Sequence, residues 1–526
     1  MERIAVPYRD TGRFSGLVTA YLEGDAKLRK FHQWTGDLDG LRQASQARAF
    51  QPASRIALGD ALARQYAGMH LQAPVLRNLE LLKRPGTQTI TTGHQLCLFT
   101  GPLYVVFKIL NTIRLARQFS TSDPGMVPVF WMATEDHDRP EIDHAYLNGT
   151  KVEWPGQAGG AVGRMTMDGI GRVLDQVDSL LGLGSHADVI RDLLRRCYRP
   201  DHDLARATRL FVDALFGRYG VVVLDGDDPG LKREFVPVMR EELLNNVAER
   251  SVRYADQRLG EHWKTQAHVR PINLFYLRPG HRSRIERVGE KYQVLEGGPS
   301  FSLDELLREL DRHPEHFSPN VLMRPLYQET ILPNVAYIGG GGELAYWFQT
   351  KWLFQAVRVP MPVLLLRTSA AFMPEKDAQR MLAWGFDAKD VFLPLEVLRS
   401  RLAKGSAAFP TSMDREIQET RAFYASLAER SVKADPTLQG AVAAMEKRAL
   451  HHLDAFGNKL VRAAKRQQAE PLEQLARVHG RFFPGGGLQE RRENFLVWYA
   501  REGPGFFDRL LTALDPLDPH FSILPG

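Results

Sequence analysis

The stretch that decides the fold is TQTITTGHQLCLFTGPLYVVFKILNTIRLARQF, residues 87–119. Its β-branched start, Thr87–Thr92, predicts a short strand. Leu103–Phe119 carries apolar residues at helical spacing and predicts a helix, with Pro102 in its first turn. The apolar run VPVFWMA at 127–133 predicts a second strand. Strand, glycine-containing loop, helix and strand in this order form a βαβ unit, which implies a parallel sheet.

Outside this unit the patterning changes along the chain. Residues 1–84 have the three- and four-residue apolar spacing of helices. Residues 148–390 mix strand and helix patterns, and Val221–Leu224 and Val363–Leu366 predict further strands. We therefore expect a helical start followed by a mixed α/β region.

A long amphipathic helix is predicted near the C-terminus, within residues 412–470. Pro436 separates it from an earlier helix at Met413–Ser431, because proline interrupts a helix. Its single apolar face indicates a partner surface, for the neighbouring helix or for a second subunit. The residues of this face recur every three or four positions: Leu438, Val442, Met445, Ala449, Leu453, Phe456 and Leu460.

Composition excludes several classes of protein. The 526 residues are 44% hydrophobic and 25% charged, which is too apolar for a wholly disordered chain. Two cysteines cannot build a disulfide scaffold, and no apolar run approaches the roughly 20 residues of a membrane helix. The N-terminus has no apolar stretch typical of a signal peptide, so we expect a cytoplasmic protein.

The charge balance permits an anionic ligand. Lys and Arg total 68 and Asp and Glu total 62, a net charge of +6. The basic residues are interspersed with acidic ones along the whole chain, which is typical of a solvated surface. We therefore expect neither a nucleic-acid partner nor a membrane partner.

The glycine-containing loop Gly93–Gly101 lies between a predicted strand and a predicted helix. Ligands of parallel sheets bind there, because glycines allow close approach and the helix N-terminus attracts anions. His94 and Gln95 add side-chain donors. The alternative is a tight turn with only a structural role. The spacing matches neither the dinucleotide motif nor the P-loop.

An acidic cluster, Glu135-Asp136-His137-Asp138, follows the second strand directly. Carboxylates and an imidazole at the end of a buried strand could bind an amine, position a metal or act as a general base. Helix capping is the alternative. Because Cys97 and Cys197 lack Cys or His neighbours at ligand spacing, we predict no zinc site.

Two further segments are candidates for ligand contact. Four glycines, Gly339–Gly342, followed by Glu343, indicate a flexible, anion-tolerant loop or tight packing against the sheet. A basic patch formed by Arg278 and residues 281–284 (HRSR) could bind a carboxylate or phosphate. We interpret that patch as a solvated turn.

Four long segments carry a family resemblance: TTGHQLCLFTGPLYVVFKIL (91–110), PVFWMATEDHD (128–138), RPLYQETILPNVAYIGGGGELAYW (324–347) and FFPGGGLQER (482–491). Together, in this order, they resemble the BshC family, the cysteine-adding enzymes of bacillithiol biosynthesis. The resemblance covers essentially the whole chain. It implies a Rossmann-like core related in fold to class I aminoacyl-tRNA synthetases, an inserted connective domain, and a C-terminal helical coiled coil that mediates homodimerisation.

The resemblance also implies domain limits and a reaction. We expect a helical segment at 1–84 packed on the core, a core with its inserted region at 85–390, and a helical region at 391–526 with the coiled coil at about 412–470. The implied reaction joins the carboxyl of L-cysteine to the amine of glucosaminyl-malate. ATP with Mg²⁺ would activate the carboxyl through an acyl-adenylate; the alternative is an activated cysteine donor made elsewhere.

The same resemblance assigns site residues. His94 would contact phosphates, as the HIGH signature of the synthetases does, and Asp136, His137 or Asp138 would hold the amino group of cysteine or deprotonate the attacking amine. We expect Gly93–Gly101, Glu135–Asp138 and Gly339–Glu343 to line one pocket. The predicted substrate- or nucleotide-binding residues are Gly93, Gln95, Thr100, Gly101, Glu135, Gln328, Gly340, Gly341 and Glu343.

Two other functions are kept as alternatives. A synthetase-like module that binds nucleotide or RNA would explain the basic pI near 9.1. It predicts a continuous basic face and steeply salt-dependent RNA binding. A non-catalytic scaffold would use the long helix to recruit other enzymes of the pathway.

Overall fold

The computed structural model describes residues 2–120, 125–156, 159–405 and 409–526. The chain forms two compact units. The larger unit comprises Pro7–Ala370 and Gln489–Ser522, and the smaller comprises Met1–Val6, Ala371–Leu488 and Ile523–Gly526. The domain limits expected at residues 84 and 390 stay predictions.

Five parallel strands form the central sheet of the larger unit, in the order β13-β12-β2-β3-β6. The parallel sheet predicted from the βαβ pattern is confirmed. The strands of the chain are β1 (Ile4–Pro7), β2 (Gln88–His94), β3 (Met126–Met132), β4 (His144–Leu147), β5 (Thr150–Glu153), β6 (Val222–Asp225), β7 (Leu274–Arg278), β8 (His281–Val288), β9 (Lys291–Val294), β10 (Ser300–Phe301), β11 (Phe317–Pro319), β12 (Asn334–Gly339), β13 (Val363–Leu366), β14 (Ala370–Met373) and β15 (His520–Pro525).

Helices connect these strands and make up most of the smaller unit. The helices up to the last strand of the central sheet are α1 (Gly16–Leu22), α2 (Leu38–Ala47), α3 (Pro52–Gln65), α4 (Ala73–Lys83), α5 (Tyr104–Phe119), α6 (Arg139–Ile142), α7 (Ile170–Leu180), α8 (Ser185–Cys197), α9 (Leu204–Phe216), α10 (Pro229–Asn245), α11 (Val247–Leu259), α12 (Leu303–Arg312), α13 (Arg324–Ile331), α14 (Gly341–Gln349) and α15 (Lys351–Ala356). The later helices are α16 (Glu375–Ala383), α17 (Leu395–Gly405), α18 (Asp414–Ala434), α19 (Gln439–Gln467), α20 (Ala469–Phe482), α21 (Leu496–Glu502) and α22 (Gly505–Ala513). No helix in the described ranges is both long and apolar enough to cross a membrane.

The threonine-rich strand β2 lies at the centre of the sheet although its sequence is polar. Thr89 and Thr91 are fully buried, and their hydroxyls donate to the Asn334 side chain over 3.2 and 2.8 Å. The Thr92 hydroxyl donates to the Ile338 carbonyl oxygen over 2.7 Å. Because each hydroxyl has a partner on β12, the strand buries its polar groups without leaving them unsatisfied.

A second sheet is inserted between β6 and β12. It is antiparallel and has the order β10-β9-β8-β7-β11. Its position in the chain agrees with the inserted region that the family resemblance implies. Strands β4 and β5 form a separate hairpin.

The smaller unit contains the predicted pair of long helices, α18 and α19, which pack against each other. The apolar stripe of α19 is only partly covered. Val442 is buried, but Leu438, Met445 and Phe456 are 44%, 49% and 51% exposed. The neighbouring helix therefore accounts for only part of this stripe.

The loop after β2 differs in two details from the sequence prediction. The strand continues through Gly93 and His94, and Pro102 precedes helix α5 instead of lying in its first turn. Between them, Phe99 and Thr100 adopt φ values of 54° and 67°, which non-glycine residues rarely do. The Asn494 amide donates to the carbonyl oxygens of Phe99 and Gly101 over 3.0 and 2.6 Å and holds this turn in place.

Substituting Gly101 tests how tightly this turn is packed. Its φ is +74°, and an added Cβ would lie 2.5 Å from the Cβ of Cys97. We expect Gly101→Ala to lower the free energy of unfolding by more than the roughly 1–2 kcal/mol of a left-handed alanine alone. Urea unfolding followed by circular dichroism measures this loss.

Gly182→Ala is the matched control. Gly182 has a φ of +72°, but an added Cβ would meet nothing within 4 Å. Equal losses of stability for the two variants would contradict the packing interpretation of Gly101.

Candidate functional site

A cavity of about 680 Å³ opens at the carboxyl ends of the parallel strands. The chain passes from β2 to β3 and β6 on one side and adds β12 and β13 on the other, so the strand order reverses between β2 and β12. Ligands of open parallel sheets bind at such a reversal. The cavity contains residues from all three segments that we expected to meet in one pocket.

Some of the predicted site residues line the cavity and others do not. Thr100, Gly101, Asp138 and Gln328 do not line it, and their positions give no support to a role in substrate contact. Thr100 and Gly101 form the buried turn, Asp138 is exposed, and Gln328 is fully buried beside Glu329. The predicted residues that line the cavity are Gly93, His94, Gln95, Glu135, Asp136, His137, Gly340, Gly341 and Glu343.

Lys108 on helix α5 joins the two strands at the reversal. It is fully buried; its ammonium donates to the carbonyl oxygen of Gly93, and it lies 2.7 Å from the Glu343 carboxylate. Glu343 also accepts from the Gly340 amide over 2.8 Å and from the Tyr337 hydroxyl over 2.5 Å. Burial alone would raise the pKa of Glu343, but these partners, Lys108 foremost, lower it to about 2.

The segment Gly339–Gly342 forms a strand end and a helix start, which favours the alternative of tight packing over that of a flexible loop. Gly339 ends β12, Gly340 precedes α14, and Gly341 begins that helix. An added Cβ at Gly341 would lie 2.9 Å from the Val18 side chain. The glycines form a tight strand-to-helix junction whose helix N-terminus faces the cavity.

His94 is neutral at physiological pH. Burial and the nearby Lys108 charge lower its pKa to about 3. Its Nε2 atom lies 3.3 Å from the Tyr104 hydroxyl and 3.6 Å from the Cys97 sulfur, which corrects our statement that this cysteine lacks a histidine neighbour. His94 can thus interact with a phosphate or carboxylate only as a neutral hydrogen-bond donor. Burial also raises the pKa of Cys97 to about 12, so this thiol is not ionised.

Gln95 and Asp136 form an acceptor site on the cavity wall. The Gln95 amide nitrogen donates to Asp136 and to Glu141 over 2.8 and 2.7 Å. The Gln95 amide, which the sequence suggested as a donor to the ligand, is therefore already engaged in these two hydrogen bonds. Burial opposes ionisation of Asp136, but hydrogen bonds from His137 and Gln95 and the charge of Arg282 outweigh it and lower its pKa.

The basic patch on β7 and β8 is not a solvated turn, which corrects our interpretation. Arg282 stacks on the Phe275 ring at 4.1 Å, and its guanidinium lies 3.0 Å from His137 Nδ1 and 3.7 Å from Asp136. Because arginine only donates, His137 Nδ1 accepts from Arg282. The inserted sheet thus orients the acidic cluster.

Glu135 forms an ion pair with a buried lysine. Lys232 on α10 lies 2.8 Å from Glu135 and 3.0 Å from Asp227, which follows β6. The two carboxylates outweigh burial and raise the pKa of Lys232. This buried triad joins the ends of β3 and β6.

Sequence reasoning missed several residues of the cavity wall. Arg324 and Arg367 line it, as do Tyr104, Tyr337, Tyr346 and Arg491. Arg324 begins the segment RPLYQE, in which we predicted Gln328 as the binding residue. The charge of Arg324 at the start of this segment could have indicated a binding role. Nothing in the sequence, however, showed that the segment borders the cavity.

Removing Lys108 tests the buried contact at the strand reversal. Lys108→Met leaves the Glu343 carboxylate, which is 25% exposed, without its ion-pair partner. We expect a loss in the free energy of unfolding toward the lower end of the roughly 3–5 kcal/mol for a broken buried pair, measured by urea titration. Adding Glu343→Gln to this variant should restore part of the loss.

The control is the same substitution in an exposed ion pair. Lys83 and Glu80 are 2.6 Å apart, and their side chains are 50% and 67% exposed. Lys83→Met should cost about 1 kcal/mol or less. A loss of that size for Lys108→Met would show that the buried pair contributes little.

Two family models match the chain in succession. The model described as bacillithiol biosynthesis BshC, N-terminal Rossmann-like domain, matches residues 1–368. The model described as bacillithiol biosynthesis BshC, C-terminal coiled-coil domain, matches residues 370–525.

Curated relatives match over their full length. A protein of Flavobacterium johnsoniae named "Putative cysteine ligase BshC" is 38% identical, with 100% of both chains covered. Proteins of the same name from Flavobacterium psychrophilum and Cytophaga hutchinsonii are each 35% identical. The alignments cover 100% and 98% of this chain and 99% and 97% of those relatives.

Proposed function

The chain belongs to the BshC family of bacillithiol biosynthesis, and we propose that it is the ligase that adds L-cysteine to glucosaminyl-malate. The reaction joins the cysteine carboxyl to the glucosamine amine as an amide, with loss of water. One observation supports this proposal above the others. Three separate segments of the chain meet in one cavity that offers both ionised carboxylates and cations.

The wall around Asp136 suits the ammonium group of cysteine. Its carboxylate stays ionised, because the hydrogen bonds and the charge around it lower its pKa. A low pKa favours holding a cation over removing a proton from an amine. We therefore assign Asp136 to binding the amino group, with the Gln95 side chain fixed beside it.

The opposite wall suits the anionic parts of the substrates. The N-terminus of α14 faces the cavity at Gly341 and Gly342, and His94 is present as a neutral donor. Unpaired amides at a helix N-terminus stabilise carboxylates and phosphates. ATP with Mg²⁺ would supply the activation of the cysteine carboxyl that amide formation in water requires.

The alternatives are less well supported. Paired charges around a concave cavity are typical of small-molecule chemistry and not of a continuous RNA-binding face. A scaffold without activity would not need the ion pairs that orient Glu135 and Asp136 toward this space.

A reconstitution assay tests the proposed reaction. Glucosaminyl-malate and L-cysteine are incubated with the protein, with and without ATP and Mg²⁺, and the thiol product is followed by mass spectrometry. We expect product only with ATP, and release of AMP or ADP identifies the phosphate chemistry. Product without ATP would contradict activation of the cysteine carboxyl by ATP. No product under either condition would contradict ligation of free L-cysteine by this protein.

Asp136→Asn tests the assigned ammonium contact. The substitution keeps the hydrogen-bonding shape but removes the charge, so we expect cysteine to bind roughly 10- to 100-fold more weakly, measured as KM. Asp39→Asn is the control, because that side chain is 78% exposed and lies outside the cavity. An unchanged KM for Asp136→Asn would contradict the binding of the cysteine amino group by Asp136.

We also propose that the chain forms a homodimer through α18 and α19. The partly uncovered stripe on α19 supports this, as does the 62% exposure of Phe423 on α18. Replacing Met445 and Phe456 together by Glu should convert the dimer into a monomer, because burying the two charges would outweigh the apolar contact. Size-exclusion chromatography with light scattering measures this change.

Lys447→Glu, which places the same side chain at another exposed position of α19, is the control. A wild-type monomer, or a dimer that survives the double substitution, would contradict an interface on this face.

A further inference from the structure

Among the cations of the cavity wall that are not exposed, all but one are paired with carboxylates. Lys108 is paired with Glu343 at 2.7 Å, and Arg367 is paired with Glu490 at 2.7 Å. Lys232 lies between Glu135 and Asp227. Within the described residues, Arg324 forms no ion pair. Its guanidinium donates to the neutral Gln328 amide oxygen over 3.1 Å and is also hydrogen-bonded to the Tyr346 hydroxyl.

The Arg324 guanidinium also contains an unsatisfied donor. Its Nη2 atom is buried and has no hydrogen-bond partner. The group lies between two aromatic rings, 5.8 Å from the centre of Trp131 and 5.5 Å from the centre of Tyr337. A buried donor without a partner costs about 1–3 kcal/mol, and a buried charge without a counterion costs more.

Its neighbours leave room for a ligand. Arg324 lines the cavity beside Gly93, where an added Cβ would lie 3.5 Å from Nη1. The Nε atom of Arg367 is likewise buried without a partner, and it lies 3.9 Å from an added Cβ at Gly340. Each of the two guanidinium groups thus lies next to a glycine at the end of a central strand.

We infer that Arg324 is the anchor for an oxyanion of the substrate, a carboxylate or a phosphate, which it binds between the ends of β2 and β12. The bound oxyanion supplies the counterion and the acceptor that Arg324 lacks. Arginine fits this role because its planar fork matches both groups. The inference rests on the proposed function for the identity of the ligand, but not for the presence of the subsite.

The test measures binding apart from activity. Glucosaminyl-malate, L-cysteine, ATP with Mg²⁺ and inorganic phosphate are titrated calorimetrically into the wild type, Arg324→Gln and Arg324→Lys. We expect Arg324→Gln to weaken one oxyanion-bearing ligand by roughly 10- to 100-fold, the loss typical of a charge-assisted hydrogen bond. Arg324→Lys, which keeps the charge but loses the fork, should give an intermediate loss.

The pattern of losses identifies the source of the oxyanion. If only the affinity for glucosaminyl-malate falls, Arg324 binds a malate carboxylate. If only the affinity for cysteine falls, it binds the amino-acid carboxylate. If the affinities for ATP and for phosphate fall together, it binds a phosphate. Arg199→Gln is the control, because Arg199 is 54% exposed in an ion pair with Asp201. Circular dichroism and thermal unfolding establish that each variant is folded.

Two results would overturn the anchor. One is wild-type affinity of folded Arg324→Gln for every ligand, and the other is an equal loss for all of them, which indicates a distorted cavity. Failure of the proposed function has a different signature. In that case the wild type forms no product in the reconstitution assay, while the binding of an oxyanion still depends on Arg324.

Discussion

A single buried ammonium links the ends of β2 and β12 at the point where the cavity opens, and it adds to the backbone pairing of these two strands. Lys108 contacts the carbonyl oxygen that ends β2 and the carboxylate that begins the helix after β12. Its charge keeps Glu343 ionised, and Glu343 in turn fixes the Gly340 amide. The same charge helps to keep His94 neutral. The geometry and the electrostatics at this end of the cavity therefore depend on the contact between Lys108 and Glu343.

The remaining charges follow from the cost of burying ions. A buried charge is tolerated when a counterion and hydrogen bonds replace water. Lys232 and Arg282 meet this condition by contacting the acidic cluster after β3, one from the core and one from the inserted sheet. These cations leave Asp136 ionised and oriented. Arg324 departs from the rule, and a departure of this kind marks a place where a ligand completes the structure.

The fold and the family were accessible from the sequence to different degrees. The periodicity of residues 87–133 predicted β2, α5 and β3 correctly, because local spacing decides which face of an element is buried. The resemblance over four segments supplied the family, which the comparisons confirm. It also supplied substrates, which no pattern of charge or spacing could have named. Its relation to the synthetases stays an expectation.

The sequence by itself determined the parallel sheet, the family and nine of the cavity residues, since local motifs at strand ends reveal where ligands bind. Only the tertiary structure decided which polar groups lack partners. Lys108, Arg282 and Arg324 come from a helix, an inserted sheet and a second helix that the sequence pattern could not place next to one another. Charge pairing depends on distances across the fold, and residues far apart in the chain set those distances.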